Sequence, residues 1–116
     1  MKRLLLCAGL AACLAGCSSH ETKVLGQIAQ GPAVSVAAVP RSAPGSSVVL
    51  QGVMTAKCPI AGCWFLLHDA TGTIKVDTKN AGFVVVEVPV NASMTVAGLV
   101  TTNDNERLID ATGVRY

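Results

Sequence analysis

Short apolar runs separated by turn-forming residues fill the second half of the chain. They predict five β-strands, at residues 48–54, 63–69, 73–78, 94–102 and 107–116. The clearest apolar/polar alternation is "TIKVDT" in the third of these runs, which follows the turn "ATG" at 70–72. Residues 80–93 contain a valine run with strand propensity that Pro89 interrupts, so this segment is either an extra strand or a crossover.

The spacing of these strands predicts an all-β fold. Gly52 is a point at which the first strand can bend sharply, the second and third strands form a hairpin, and a longer connection follows. This is the pattern of a small five-stranded Greek-key barrel, similar to the OB-fold. Another small antiparallel barrel or a sandwich is the alternative. In the preceding segment 32–47, Pro40 restricts any helix to a turn or two, which Ser35 could cap.

The N-terminus has the pattern of a secretion signal. A basic start at Lys2 and Arg3 precedes an apolar run that is too short to span a bilayer. The sequence "LAGC" at 14–17 then resembles the lipobox of bacterial lipoproteins. That resemblance implies a signal peptide at 1–16 and a mature chain that begins at Cys17. An ordinary signal peptide or a transmembrane anchor is the alternative.

Lipidation of Cys17 would anchor the protein to a membrane. The resemblance implies diacylglycerol on the thiol and a further acyl chain, such as palmitate, on the amine, and two or more chains anchor stably. Ser18 rather than Asp follows the cysteine, which resembles an outer-membrane sorting signal. We therefore expect a lipid-anchored protein of the cell envelope, at the outer membrane and facing the periplasm. Residues 17–32 then form the lipidated cysteine and a flexible tether, and 33–116 the OB-like domain.

Charge and composition argue against several functions. Without Lys2 and Arg3, seven Lys and Arg residues balance seven Asp and Glu residues. A neutral chain with few aromatic residues lacks the basic, stacking surface that nucleic acids require. No nucleophile, phosphate-loop or metalloprotease motif is present in the sequence. We therefore expect a non-enzymatic protein that does not bind nucleic acid and holds no cofactor.

The segment 33–101 resembles a family of small exported bacterial OB-fold domains without a characterised activity. The shared pattern is a V-x-L-x-G first strand, Cys-x4-Cys-Trp, an acidic residue before a glycine turn, and an I-x-V strand. The matching positions here are Val48, Leu50, Gly52, Met54, Cys58, Gly62, Cys63, Trp64, Phe65, Asp69, Gly72, Ile74 and Val76. The family often carries charged residues between the cysteines, where this chain has Pro59, Ile60 and Ala61. The resemblance supports the fold and implies no activity.

Cys58 and Cys63 flank a tight loop after the first predicted strand, and several chemistries suit them. A disulfide that staples the loop fits an oxidising compartment and a small core. A copper or zinc site is the alternative, with Met54 or His68 as helper ligands, because thiolate, thioether and imidazole suit soft metals. Thiol–disulfide exchange and two free thiols also remain open.

Strand alternation predicts a ligand face. If Phe65 and Leu67 fill the barrel, Trp64 and His68 point outward, with Lys75 beside them on the next strand. The outer face of these two strands is the usual ligand surface of OB-folds. Trp64 could instead pack against residues 33–47. The leading hypothesis is an envelope lipoprotein that binds a protein, glycan or small ligand on this face. The alternative is a lipoprotein that handles copper or zinc.

Overall fold

The computed structural model describes residues 22–28 and 30–116. The predicted signal peptide and Cys17 lie outside the described residues. The strands are β1 (Val24–Gly26), β2 (Ser47–Lys57), β3 (Trp64–Asp69), β4 (Gly72–Asp77), β5 (Ser93–Asn103) and β6 (Glu106–Arg115), and one 3-10 helix covers Val36–Arg41. Across these described stretches, no helix has the length and hydrophobicity needed to cross a membrane.

Five of the strands form a closed barrel. They follow the order β5-β2-β3-β4-β6, and β6 also pairs with β5. All neighbours are antiparallel except β4 and β6, whose parallel contact joins Val76 to Ile109 and Asp77 to Asp110. The prediction of an all-β, five-stranded OB-like barrel is confirmed.

Gly52 lies where β2 changes partners. Residues 47–53 of β2 pair with β5, and residues from Val53 onward pair with β3. A Cβ atom at Gly52 would lie 2.4 Å from the backbone oxygen of His68, which is inside van der Waals contact. Only glycine therefore allows β3 to approach so closely, and the bend predicted at Gly52 falls where β2 changes partners.

The core is aliphatic with one aromatic ring. Inward-facing residues of the five barrel strands meet Val36 and Val39 of the 3-10 helix, which closes one side of the barrel. The fully buried large side chains from the strands include Leu50, Met54, Phe65, Leu67, Val76, Val96, Val100, Ile109 and Val114. Burying these surfaces provides the main driving force for folding.

The segment between β4 and β5 is a crossover made of turns, which settles the alternative left open for residues 80–93. Val85 and Val88 are fully buried although neither lies in a strand. The Lys57 ammonium at the end of β2 donates hydrogen bonds to the backbone oxygens of Val85, Val86 and Val88. These bonds satisfy carbonyl groups that have no sheet partner.

The ordered fold begins earlier than the predicted boundary at residue 33. The strand β1 lies in the segment predicted as a tether and pairs with β6, with Val24 opposite Arg115 and Gly26 opposite Gly113. Reciprocal backbone bonds of 2.7 and 2.9 Å between Lys23 and Tyr116 extend this pairing. Backbone hydrogen bonds and the packing of Leu25 against the core therefore fix this strand, and composition gives no sign of it.

Candidate functional site

The strand β3 separates the core from an exposed face by simple alternation. Phe65 and Leu67 are fully buried inside the barrel, whereas Trp64 is half-buried and His68 is exposed on the outside. On the neighbouring strand, Lys75 lies opposite Leu66 and Thr73 opposite His68. We call this surface the β3–β4 face; it consists of Trp64, Leu66, His68, Thr73, Lys75 and Asp77. The predicted placement of Trp64, His68 and Lys75 on one face is what the structure shows.

Two side-chain contacts organise this face. The Lys75 Nζ lies 5.4 Å from the centroid of the Trp64 ring, within the range of a cation–π contact. His68 Nδ1 and Thr73 Oγ1 are 2.8 Å apart and share a hydrogen bond. The face therefore offers an aromatic ring, one ammonium group and one imidazole, each oriented by a neighbour, together with the Asp77 carboxylate.

A groove of about 340 Å³ runs between this face and the 3-10 helix, and we call it the helix-side groove. Its apolar lining comes from both sides, and its polar lining includes Lys75, Glu106 and Arg107. The lining residues are Val36, Pro40, Leu66, Thr73, Ile74, Lys75, Glu106 and Arg107. Arg107 Nη1 also donates to the backbone oxygen of Ser42 at 2.9 Å, which holds the guanidinium in place. The groove can accept a ligand with an apolar part and a negative charge.

Asp69 ties the helix to the end of β3. Its Oδ2 accepts a hydrogen bond of 2.8 Å from the backbone N–H of Val36, at the start of the 3-10 helix. Its Oδ1 accepts bonds from the N–H and hydroxyl of Thr71 and from the N–H of Gly72. Partial burial raises the pKa of Asp69, but the bonds from Thr71, Val36 and Gly72 outweigh it and hold that pKa below its usual range. Ser35 precedes the helix without making a side-chain cap bond, so Asp69 supplies the cap from a distant strand.

The loop from Cys58 to Cys63 brings the two cysteines together at its neck. The N–H of Cys58 donates to the oxygen of Trp64 at 3.0 Å, and the N–H of Gly62 donates to the oxygen of Cys58 at 3.2 Å. Gly62 has a φ of +59°, and the loop packs there against the backbone of Val86. Ile60, near the tip of the loop, is 90% exposed. The tight reversal predicted from Pro59 and Gly62 is therefore present.

Both cysteines are thiols in the structure and both are half-exposed. Hydrogen bonds from the backbone N–H groups of Ala61 and Ile60 lower the pKa of the Cys58 thiol to about 7. Desolvation opposes this shift, and the side chain and backbone N–H of Cys63 contribute to it. Because Trp64 directly follows Cys63, the bond from the Cys58 N–H to the oxygen of Trp64 places the two cysteines near each other at the neck of the loop, and their disulfide stays a prediction.

Comparison with known proteins identifies the family. A family model described as "Bacterial OB fold (BOF) protein" matches residues 16–116, which is most of the chain. The chain belongs to the BOF family. The solved structure of the hypothetical protein ygiW from E. coli is similar, with a TM-score of 0.59 and 24% identity over 73% of this chain and 89% of that one. At that identity the likeness shows the fold alone. A search of curated proteins found no match.

In this BOF protein, the four residues that the sequence suggests as metal ligands do not lie together; they are Cys58, Cys63, Met54 and His68. Met54 is fully buried in the core opposite Leu67, and His68 lies five residues along the chain from Cys63, at the far end of β3. At about 3.3 Å per residue, that separation exceeds the reach of a shared metal. Within residues 22–28 and 30–116, no three His, Cys, Asp or Glu side chains lie close enough together to hold a metal ion. Cys58 and Cys63 still offer two neighbouring thiols, so a copper or zinc site with these two ligands stays a prediction.

Sequence reasoning missed several features of the BOF barrel that border the site. The sequence pattern predicts only a strand at Arg107 and gives no sign of its bond to Ser42. The bond from Val36 to Asp69 joins residues far apart in the chain, so no local sequence pattern indicates it. The apolar spacing of Val36 and Val39 does indicate one helical turn and was the available clue to the helix.

Asp110 lies opposite Asp77 across the parallel β4–β6 contact, where Asn80 Nδ2 donates to its Oδ2 at 3.4 Å.

Proposed function

We propose that this BOF protein is a lipid-anchored protein of the bacterial cell envelope that binds a ligand on the β3–β4 face. The proposed ligand is a protein, a glycan or a small molecule, and the proposed role is binding rather than catalysis. The observation that carries this proposal is the half-buried Trp64 ring on the outer face with Lys75 over it, beside the helix-side groove.

The chemistry of the face narrows the ligand. The accessible part of an aromatic ring stacks on sugar rings, peptide groups or other flat surfaces, and the apolar lining of the groove favours a ligand with an apolar part. Lys75 and Arg107 line the same groove with a single carboxylate, that of Glu106. The balance of charge favours an anionic group on the ligand. Nucleic acid is not the proposed ligand, because the chain has only four Trp, Tyr and Phe residues and little net charge.

The lipid anchor rests on the resemblance of residues 14–17 to a lipobox. The first described strand starts at Val24, so a short stretch of chain separates Cys17 from the barrel. The proposal places the barrel close to the membrane that holds the anchor, which is the outer membrane with the protein on its periplasmic side. Metabolic labelling with palmitate tests the anchor. Incorporation into the wild type and not into Cys17→Ser supports it, and equal labelling of the two refutes it.

Trp64 makes the binding proposal measurable, because it is the single tryptophan of the chain. Titration of the purified protein with anionic oligosaccharides, soluble cell-wall fragments and acidic peptides, followed by tryptophan fluorescence, reports on the β3–β4 face. We expect a saturable change with one of these classes. Lys75→Ala should weaken binding roughly fivefold, equivalent to about 1 kcal/mol.

Lys23→Ala is the matched control for that titration, because Lys23 is exposed beside β1, which pairs with β6 rather than with β3 or β4. The control should bind as the wild type does. Failure of all three ligand classes to give saturation, or equal weakening by the two lysine variants, would contradict the proposed site.

Copper or zinc handling is the second candidate function, and one observation favours it. Cys58 and Cys63 are adjacent, and the lowered pKa of Cys58 favours the thiolate that metals bind. Stoichiometric copper or zinc in the purified protein, lost in Cys58→Ser, would support this candidate over a disulfide that fixes the loop.

A further inference from the structure

Backbone hydrogen bonds fix the loop that carries Cys58 and Cys63. The bond from the N–H of Cys58 to the oxygen of Trp64 closes the neck of the loop, and the bond from the N–H of Thr78 to the oxygen of Cys63 ties its far side to the end of β4. Since Trp64 directly follows Cys63, these bonds hold the two cysteines near each other at the neck of the loop. A reaction between them is intramolecular and has little entropy to lose.

The loop also provides backbone N–H groups that favour the thiolate form of Cys58. Backbone N–H groups of Ala61, Ile60 and Cys63 all act on the Cys58 sulfur. Several N–H groups directed at one atom favour its anionic form. Cys58 and Cys63 are both half-exposed, and Ile60 between them stands out into solvent, so a small reagent can reach the neck of the loop.

We propose that Cys58 and Cys63 form a dithiol site that exchanges with low-molecular-weight disulfides, with Cys58 as the attacking thiol and Cys63 as the resolving thiol. In the first step the Cys58 thiolate attacks one sulfur of the disulfide, forms a mixed disulfide, and releases the other half as a thiolate. In the second step Cys63 loses its proton to solvent and attacks the Cys58 sulfur, which releases the second thiolate. The two cysteines lose two electrons and two protons, and one disulfide becomes two thiols.

Gly62 is a positioning residue for this exchange. Its φ of +59° is a conformation that residues with a side chain rarely adopt, and a Cβ there would lie 2.6 Å from the backbone nitrogen of Val86. Gly62→Ala should therefore move the loop and slow the second step, in which Cys63 must reach Cys58, more than the first. Gly45→Ala is the matched control, because Gly45 also has a positive φ, of +88°, with open space where a Cβ would lie.

The test uses oxidised glutathione as the disulfide, with the reduced, purified protein at neutral pH and peptide mass spectrometry to locate each modification. We expect the wild type to end with a Cys58–Cys63 disulfide and two released glutathione thiols per protein. The Cys63→Ser variant should stop with glutathione on Cys58. Its Cys58 should react roughly threefold faster than an ordinary exposed thiol, because a larger thiolate fraction outweighs a lower intrinsic nucleophilicity.

The Cys58→Ser variant provides the reverse comparison, in which Cys63 should form a mixed disulfide severalfold more slowly. Equal rates in the two single variants, a mixed disulfide that persists in the wild type, or no reaction at either cysteine would overturn the proposal. A failure of the exchange test would leave the ligand proposal intact, because the fluorescence titration with Lys75→Ala measures a different surface. Conversely, normal exchange in a protein that binds none of the tested ligands would support the dithiol site alone.

Discussion

Asp69→Ala removes the carboxylate that joins the 3-10 helix to the barrel, and we expect a clear loss of stability. Two kinds of bond are lost. The bonds to Thr71 and Gly72 resemble a helix cap, whose removal typically costs about 1 kcal/mol. The long-range bond to the N–H of Val36, at 2.8 Å, adds about 1 kcal/mol more. The total, about 2 kcal/mol, corresponds to a fall in Tm of about 10 °C for a domain of this size.

Asp77→Ala is the matched control for this substitution. Asp77 ends β4 as Asp69 ends β3, and its Oδ1 likewise accepts the N–H two residues on, that of Lys79. Its ion pair with the Lys79 ammonium, at 3.6 Å, involves an exposed lysine side chain and contributes little. The control should therefore lose only the local part, about 1 kcal/mol. Urea denaturation followed by circular dichroism measures both variants, and equal losses would refute the structural role given to the Val36 bond.

The Asp69 carboxylate should also make the stability of the fold depend on pH. The folded-state pKa of Asp69 is lowered, so its contribution is fully present above the unfolded-state pKa, which is about 3.9. That contribution disappears as pH falls through the folded-state pKa. The stability difference between wild type and Asp69→Ala should therefore be constant near neutrality and shrink in acid below about pH 4. A difference that stays constant down to pH 2 would show that the charge of Asp69 does not matter.

Three further predictions concern the bend of β2 and the cysteine loop. Gly52→Ala puts a Cβ 2.4 Å from the backbone oxygen of His68, so the free energy of unfolding should fall by about 2–3 kcal/mol. Amide hydrogen exchange should show weaker pairing between β2 and β3. Unchanged exchange in these strands would contradict the close approach. Replacing Cys58 and Cys63 together by Ser should lower the stability of the oxidised protein by about 2 kcal/mol, because the loop they would close is short, and should leave the reduced protein almost unchanged in urea denaturation. Equal stability of variant and wild type under oxidising conditions would count against a disulfide. Alkylation of Cys58 in the reduced protein should speed up as pH rises, with a midpoint near 7, because the thiolate is the reactive form; a midpoint above pH 8 would contradict the lowered pKa.

The barrel could be predicted from the sequence because its determinants are local. The period of two in β3 assigns Phe65 and Leu67 to the core and Trp64 to the outside, and the structure agrees. A bend is predicted at Gly52 because glycine lets a strand turn sharply, and the structure shows that β2 changes partners at this residue. The same alternation along β2 puts Met54 on the inner side, a clue against its use as a surface ligand.

The rest of the site depends on contacts between residues far apart in sequence. The helix-side groove exists because Asp69 holds the start of the 3-10 helix beside β4, across a separation of 33 residues. The crossover after β4 buries Val85 and Val88 through turns, so their strand propensity misleads. The lowered pKa of Cys58 comes from the direction of backbone N–H groups in one loop conformation, which residue types alone do not specify.

Ligand binding on the β3–β4 face is tested most directly by backbone-amide NMR with the compound that changes Trp64 fluorescence. As that compound is added, amide shifts should change saturably at residues of the face, above all Trp64, His68 and Lys75, and at Arg107 across the groove. Shift changes that cluster on the far side of the barrel, around β5, would contradict a binding site on the β3–β4 face.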